Sequence, residues 1–524
     1  MHMLKNADRR QKPSVFVPEY NEAAQYPDNA AYFGNMFQSE RETDKHMIHF
    51  GTDGWRAVIA DTFTYENVRL VTQAVADTIN DSHQGNDLPE VVVGYDTRFM
   101  SDRFATEVAR VLAANGIITW LTRADAPTPA ISYNVKAKGA VAGIVITASH
   151  NPPRYNGFKL KSAYGGSATA EACQQVEMRL AENQHTDREP RLISYEEAVA
   201  QDRIRRFDPS WVYYEHLSTL IDLDKISERA PMLVADAMWG SGRGAFAAML
   251  SRTRCQVTEI RNVLNPGFGG IHPEPILHYL NDLVAAVRRV QAQVGLATDG
   301  DADRIGAVDA LGNFVDPHTI FALTLRHLVE NKGLRGEVVK TVSTTLMIDT
   351  LAERYGLTVH ETPVGFNHIA DLMMSRDVLI GGEESGGISL RGHIPEGDGI
   401  LMGLMLLEVM AQTRAPLHEI IQGLKDEFGP AHYARIDTRL ERQLPKKQIV
   451  STLAEHAPAE IAGQRMARVN TLDGVKYTLA DHSWLLIRPS GTEPVLRVYA
   501  EGRSSEMVRE MLRIGSELGQ KAVS

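Results

Sequence analysis

Leu296-Ala-Thr-Asp-Gly-Asp-Ala-Asp-Arg-Ile305 places three carboxylates, Asp299, Asp301 and Asp303, at alternate positions between two apolar runs. Carboxylates this close repel one another, and a hard divalent cation is the natural partner that removes the repulsion. A calcium loop fails on spacing: with Asp299 as the first position, the sixth is Arg304 instead of glycine and the twelfth is Ala310 instead of glutamate. Three oxygens leave coordination positions open, which suits an ion such as Mg²⁺ that completes its shell with a phosphate. Arg304 follows directly, with a guanidinium matched to phosphate or carboxylate oxygens.

A second constellation is Thr147-Ala-Ser-His-Asn-Pro-Pro153, which breaks the apolar run Gly143 to Ile146. Pro152 and Pro153 can continue neither a ladder nor a helix, so Ser149 should sit on a stiff turn past a strand end, as an exposed nucleophile requires. His150 adjoins it, and Lys159 returns a cation after the Asn156-Gly157 turn. The bland alternative is that Thr147, Ser149 and Asn151 only satisfy turn backbone. A Ser/His hydrolase is disfavoured, because neighbours in an extended turn point apart and no nucleophile elbow surrounds Ser149.

Two further loops offer recognition chemistry. Ile380-Gly-Gly-Glu-Glu-Ser-Gly-Gly387 presents Glu383 and Ser385 as acceptors for adjacent hydroxyls of a sugar ring. Arg488-Pro-Ser-Gly-Thr-Glu-Pro494 offers Arg488, Ser490, Thr492 and the amides around Gly491 as an anion nest, with Arg497 as a second cation or a solvent-facing one.

The elements that position these loops read as α/β. Short apolar runs (Val91 to Val93, Ile118 to Leu121, Val141 to Ile146, Met232 to Ala235) alternate with amphipathic stretches such as Arg103 to Ala114 and Asn281 to Gln293. That alternation predicts layered α/β domains with substantially parallel sheets, where ligands bind beyond the carboxyl ends of the strands. At 524 residues the chain is too long for one core, so several domains and a cleft between them are expected. Residues 1–47 are polar without sustained period and read as an extension outside the catalytic body.

Composition excludes several partners. The net charge of -11 provides no general field for nucleic acid or an anionic membrane. No secretory leader is visible, and the most apolar stretch, Ile400 to Met410, contains Glu408 and reads as a buried helix with Met402, Met405 and Met410 as core filler. Cys173 and Cys255 cannot make a disulfide framework; they fit a reducing, cytoplasmic compartment and read as two small buried hydrophobes. A rival is an NAD-dependent dehydrogenase, since Gly240-Ser-Gly-Arg-Gly-Ala245 fits the dinucleotide fingerprint with Glu259 downstream. Asp236 to Trp239 intervene, however, where the glycines should follow the strand at once.

Together the loops resemble the α-D-phosphohexomutase family: TASHNP at 147–152, DGDADR at 299–304, GEESGG at 382–387 and RPSGTEP at 488–494, in the family's order. FGTDGWR at 50–56 resembles the family's first loop, where Arg56 would face substrate phosphate. The resemblance implies four domains around a central cleft, three α/β domains with mixed sheets and a smaller α+β C-terminal domain. The expected divisions are 48–205, 206–313, 314–430 and 431–524.

It further implies a Ser149 carried as phosphoserine, one Mg²⁺ bridging this phosphate and the three aspartates, and sugar phosphate docked at 488–494. Glucose 1,6-bisphosphate would be intermediate and activator, with small sugar phosphates as the partners and oligomeric state left open. GEESGG looks more like the phosphoglucomutase branch than the GEMSGH of dual glucose/mannose enzymes or the GEQSGH of glucosamine enzymes. One departure stands out. Where many relatives carry lysine after the aromatic, Thr362-Pro-Val-Gly-Phe-Asn-His-Ile369 has Asn367 and His368, so the general acid or base is His368 or Lys159, with a structural His368 equally open.

Overall fold

In a computed structural model, residues 48–51, 54–440, 445–490 and 495–523 are described. The N-terminal stretch 1–47, read from sequence as an extension, lies outside the described residues.

Four sheets follow one another along the chain. The first runs in the order Trp55–Val58, Tyr155–Ser162, Ala142–Ile146, Glu90–Tyr95, Ile118–Thr122, Ile204–Phe207. Its centre is parallel, and its Tyr155–Ser162 edge turns antiparallel. Apolar residues on both strand faces create two cores: Val91 and Val93 pack with the helices Tyr65–Ser82 and Ser101–Ala114, whereas Val92 packs with Ile131 and Val135 of the helix Thr128–Lys138. Helix Tyr65–Ser82 starts at Thr64, whose hydroxyl accepts from Asn67 N.

The second sheet, order Phe314–Val315, Ile305–Asp309, Val294–Thr298, Met232–Asp236, Gln256–Ile260, has a parallel half and an antiparallel half. The aspartate loop is the connection of its Val294–Thr298 and Ile305–Asp309 hairpin, where Thr298 pairs with Ile305. The third sheet, Val359–Thr362, Glu337–Thr341, Val378–Gly382, Ile388–Leu390, carries residues 383–387 on its antiparallel hairpin. The fourth is antiparallel throughout, from His432–Arg439 through Val495–Gly502, Trp484–Pro489 and Val475–Leu479 to Gln464–Asn470 and Glu460–Ile461, with the helix Ser505–Val523 against it.

One helix fuses the middle of the molecule. Gly399–Thr413, capped by Asp398 accepting from Leu401 N at 2.8 Å, is buried from Gly399 to Ala411, including Met402, Met405, Glu408 and Met410. Leu233 and Leu296 of the second sheet and Leu379 and Ile380 of the third share its core. No single helix among the described residues is long and apolar enough to cross a membrane. Cys173 and Cys255, expected to be buried, are half-buried. Cys173 lies on a helix, Ala170–His185, that buries only Val176, Leu180 and Asn183, too narrow a stripe to enclose it.

A polar chain running inward from half-buried His216 also ties the parts together. His216 Nε2 lies 3.0 Å from His393 Nδ1, His393 Nε2 lies 3.0 Å from Asp398, and Tyr213 donates to Asp398 at 2.7 Å. Burial and the neighbouring His393 ring push His216 down to about 4. The unfolded ring takes its proton near pH 6.5, so stability is full above that value and is lost as pH falls toward 4. The thermal midpoint is therefore expected to fall on acidification across this window, and less steeply in His216→Gln; equal slopes would show that the pair does not carry the effect.

Candidate active site

The serine loop leaves the carboxyl end of Ala142–Ile146, beside the edge where the sheet changes direction. Ser149 has φ of 50, a left-handed backbone that costs a non-glycine residue free energy and persists only where the surroundings hold it. The Arg98 guanidinium does much of that holding. It donates to the carbonyls of Ser149 (2.6 Å), Asn151 (2.7 Å), Pro152 (2.9 Å) and Tyr155 (3.1 Å), and its Nε lies 3.1 Å from Asp96. Asp96 in turn accepts from Thr147 Oγ1 at 2.6 Å.

This backbone corrects one sequence expectation. An extended turn would point Ser149 and His150 apart, but the left-handed residue folds them together, and His150 Nδ1 lies 3.2 Å from Ser149 Oγ. Burial, followed by the charges of Arg304, Arg56 and Arg98, pushes His150 well below its ordinary value, so the ring is neutral. Ser149 Oγ itself donates to Asp299 Oδ2 at 2.8 Å.

The three aspartates are buried, and one carboxylate oxygen from each lies within 4.8 Å of the others. Asp299 Oδ1 accepts from the amides of Asp303 (3.1 Å) and Arg304 (3.3 Å). Lys159 Nζ stands 2.9 Å from both Asp301 and Asp303. Thr128, at the start of its helix, donates its hydroxyl to Asp301 Oδ2 at 2.7 Å and its amide to the Asp301 carbonyl at 2.9 Å.

These neighbours split the carboxylates. Burial pushes Asp301 up, but the Lys159 ammonium and the Thr128 hydrogen bond outweigh it and hold Asp301 below the usual range. Asp299 is pushed well above that range by burial and by the charges of Asp303 and Asp301. Lys159 alone does not balance the set, and Asp301 Oδ1 is a buried acceptor with no hydrogen-bond partner among the described residues. The donor set fits a hard divalent cation, which Asp299, Asp301 and Asp303 would hold. Because Thr128 orients Asp301, Thr128→Val is expected to weaken Mg²⁺ affinity by about tenfold in a calorimetric titration; unchanged affinity would remove that role.

Glycines allow the loops to meet. A side chain at Gly300 would run into the Ser149 carbonyl. At Gly240 it would lie 2.7 Å from the carbonyls of Asp299 and Gly300, and Ser241 N donates to Gly300 O at 2.9 Å. The apparent dinucleotide fingerprint is thus a brace under the aspartate loop, with Glu259 accepting from Gly244 N at 2.9 Å.

Arg304 lies 3.9 Å from both Glu274 and Asp303; burial lowers its pKa, but Asp303, Asp299 and Glu274 outweigh this and raise it. Arg56 donates to Asn151 Oδ1 at 2.8 Å, which brings it to the serine loop.

A second group lies on the third and fourth sheets. Glu383 accepts from Gly365 N at 2.9 Å and from Ser385 Oγ at 3.4 Å. His368 is half-buried in the first turn of Phe366–Ser375, its amide on Gly365 O, while Asn367 beside it is buried. Arg488 and Arg497 are cross-strand partners on one sheet face, Arg497 3.6 Å from Asp437 and Arg488 2.7 Å from Asp473. Ser490 N donates to Val495 O at 2.8 Å, and Gly491 and Thr492 lie outside the described residues.

Sequence reasoning missed Arg98, Thr128, Asp473 and also Arg435, which pairs with Asp437 at 2.8 Å. A signal existed for Arg98 alone: Asp96-Thr-Arg98 follows Glu90–Tyr95 at the carboxyl end of a parallel strand.

Fold and site together define a sugar-phosphate mutase of the phosphohexomutase class. Models of the phosphoglucomutase/phosphomannomutase α/β/α domains I, II and III match residues 47–187, 212–312 and 316–428, and the C-terminal domain model matches 441–513. A phosphoglucomutase/phosphomannomutase of Thermococcus kodakarensis is 30% identical over 475 residues, 90% of this chain and 99% of the relative. A phosphoglucosamine mutase of Fusobacterium nucleatum is 27% identical over 484 residues, 91% and 99% of the two chains. The crystal structure of a Thermus thermophilus protein, provisionally assigned as a phosphomannomutase, superposes with a TM-score of 0.79 at 34% identity, covering 91% of this chain and all of that one. The chain belongs to the phosphoglucomutase/phosphomannomutase family.

Proposed function

We propose that the chain interconverts α-D-glucose 1-phosphate and glucose 6-phosphate through a phosphoserine at Ser149 and a glucose 1,6-bisphosphate intermediate. The observation that carries this reading is Ser149 Oγ, clamped on a strained turn and hydrogen-bonded at 2.8 Å to Asp299 of a buried three-carboxylate cluster.

In this reading the phosphoryl group leaves Ser149 Oγ for the free sugar hydroxyl, whose proton passes to a base, and the phosphoryl at the other end of the turned bisphosphate returns to Ser149. Asp299, Asp301 and Asp303 would hold a Mg²⁺ ion, which would supply charge neutralisation at the transferring group. Lys159, Arg304 and Arg56 add fixed positive charge, which is the main protein contribution to phosphoryl transfer. We assign proton transfer at the sugar hydroxyl to Lys159, which stands on Asp301, and an acceptor role toward the serine hydroxyl to neutral His150, which lies 3.2 Å from Ser149 Oγ.

Glu383, Ser385 and His368 would meet the sugar hydroxyls, and Arg488, Ser490, Gly491, Thr492 and Arg497 the stationary phosphate. The proposed domains are 48–205, 206–313, 314–430 and 431–524, with the end of the strand Ile204–Phe207 belonging to the first sheet and Phe314–Val315 to the second. Two half-buried cysteines outside any disulfide suit a reducing cytoplasm.

Mannose or glucosamine phosphate is the second reading, favoured by relatives named for those sugars. GEESGG, with carboxylate and hydroxyl acceptors at 383 and 385, supports glucose. Side-by-side assays of glucose, mannose and glucosamine 1-phosphates with Mg²⁺ and trace bisphosphate test it: glucose phosphate should have the highest kcat/KM, and a roughly tenfold preference for another sugar would overturn the assignment. Free phosphate release exceeding isomer formation would overturn the mutase mechanism.

A further inference from the structure

Asp473, 4% exposed on the turn before Val475–Leu479, gathers three donors from two domains. Its Oδ2 accepts from Arg488 Nε at 2.7 Å and from the amide of Val364 at 3.0 Å, and Lys446 closes on Oδ1. Burial raises its pKa, but Arg488 and Lys446 outweigh this and keep it ionised.

Val364 lies between the strand Val359–Thr362 and the helix Phe366–Ser375, and the next amide, Gly365, donates to Glu383 Oε1 at 2.9 Å. Two consecutive amides are thus held by two carboxylates, one joined to the anion-site arginine and the other in the hydroxyl-binding loop. The two amides lie in successive peptide planes joined at the Cα of Val364, a β-branched residue, so only its φ and ψ separate a displacement at Asp473 from one at Glu383. Two residues past Gly365, Asn367 Oδ1 is a buried acceptor without a partner among the described residues, and its placement follows that of the loop.

We propose that Asp473 is a positioning residue that makes sugar recognition conditional on phosphate docking, by carrying the state of Arg488 through Val364 and Gly365 to Glu383. A phosphate on Arg488 competes with Asp473 for the same guanidinium and shifts the Asp473 carboxylate against the Val364 amide. Such a link denies the phosphoserine to unphosphorylated sugars and to water, which would drain it. The inference rests on the reading that phosphate docks at Arg488 and hydroxyls at Glu383.

The test is hydrogen–deuterium exchange of peptides covering 363–368 in the full chain, with inorganic phosphate as the probe and no sugar. Phosphate is expected to slow exchange there in the wild type. Asp473→Asn should bind phosphate within about threefold of wild type by calorimetry yet lose the slowing, whereas Lys446→Met should keep it. If Asp473→Asn does not fold, Arg488→Lys retains a cation without the Nε donor and should also lose the slowing.

Slowing that survives in Asp473→Asn, or in Arg488→Lys where Asp473→Asn does not fold, or that is absent from a wild type that binds phosphate, overturns the proposal. A wild type that binds no phosphate overturns the docking reading with it. The two claims separate, because turnover of glucose phosphates without slowing defeats this link alone, and slowing without such turnover defeats the glucose assignment alone.

Discussion

Ser149→Ala is expected to lower interconversion of glucose 1-phosphate and glucose 6-phosphate by roughly four to six orders of magnitude in kcat, the scale on which enzymes lose rate when a covalent nucleophile is removed. The physical reason is local. Ser149 Oγ faces the aspartate cluster, at 2.8 Å from Asp299, and is held there by backbone that the rest of the loop fixes. Alanine keeps the turn and removes only the oxygen, so the fold should persist and thermal unfolding should stay close to wild type. Intact-mass measurement should find one phosphoryl group on part of the wild-type protein and none on the variant. Wild-type turnover by the variant would defeat the phosphoserine mechanism outright.

The largest effect on stability is expected from Arg98→Met. The arginine is 3% exposed and satisfies four carbonyls of residues 149–155 as well as pairing with Asp96, which is 2% exposed. Methionine fills similar volume but leaves the carbonyls unpaired and Asp96 as a buried charge, a change of about 3–5 kcal/mol.

Its pH dependence has a definite sign. Burial already pushes the Asp96 carboxyl up to about 6 although Arg98 pulls it down, and without Arg98 it rises further. The folded variant therefore holds the proton more tightly than the folded wild type, so the deficit of Arg98→Met should shrink as pH falls toward about 6 and level off below it. Adding Asp96→Asn should recover part of the loss at neutral pH in chemical denaturation. A variant as stable as wild type at neutral pH would show that the clamp is dispensable. Activity should also fall, because Ser149 would leave its left-handed backbone.

How much of this was legible beforehand varied with the distance along the chain. The strands Glu90–Tyr95, Ile118–Thr122, Ala142–Ile146 and Met232–Asp236 lie where apolar runs predicted them, and Ile400 to Met410 is the buried helix its composition implied. Alternation and proline placement are local signals, and local backbone preferences obey them. The antiparallel half of the second sheet and the shared core around Gly399–Thr413 were not legible, since pairing direction and the merging of two domains depend on contacts between distant segments.

The sequence by itself determined the chemical parts: three aspartates at alternate positions between two apolar runs, a serine on a proline-stiffened turn, and arginine and glutamate loops at strand ends. It could do so because each is a short pattern whose spacing is its chemistry. Only the tertiary structure decided which charges answer them. Thr128 reaches Asp301 across 173 residues, Lys159 reaches Asp303 across 144, and Asp473 joins Arg488 to a loop 109 residues away. No periodicity or motif spans such separations, so the positions of the counter-charges, and with them the ionisation of the aspartates and the left-handed turn at Ser149, are set by packing alone.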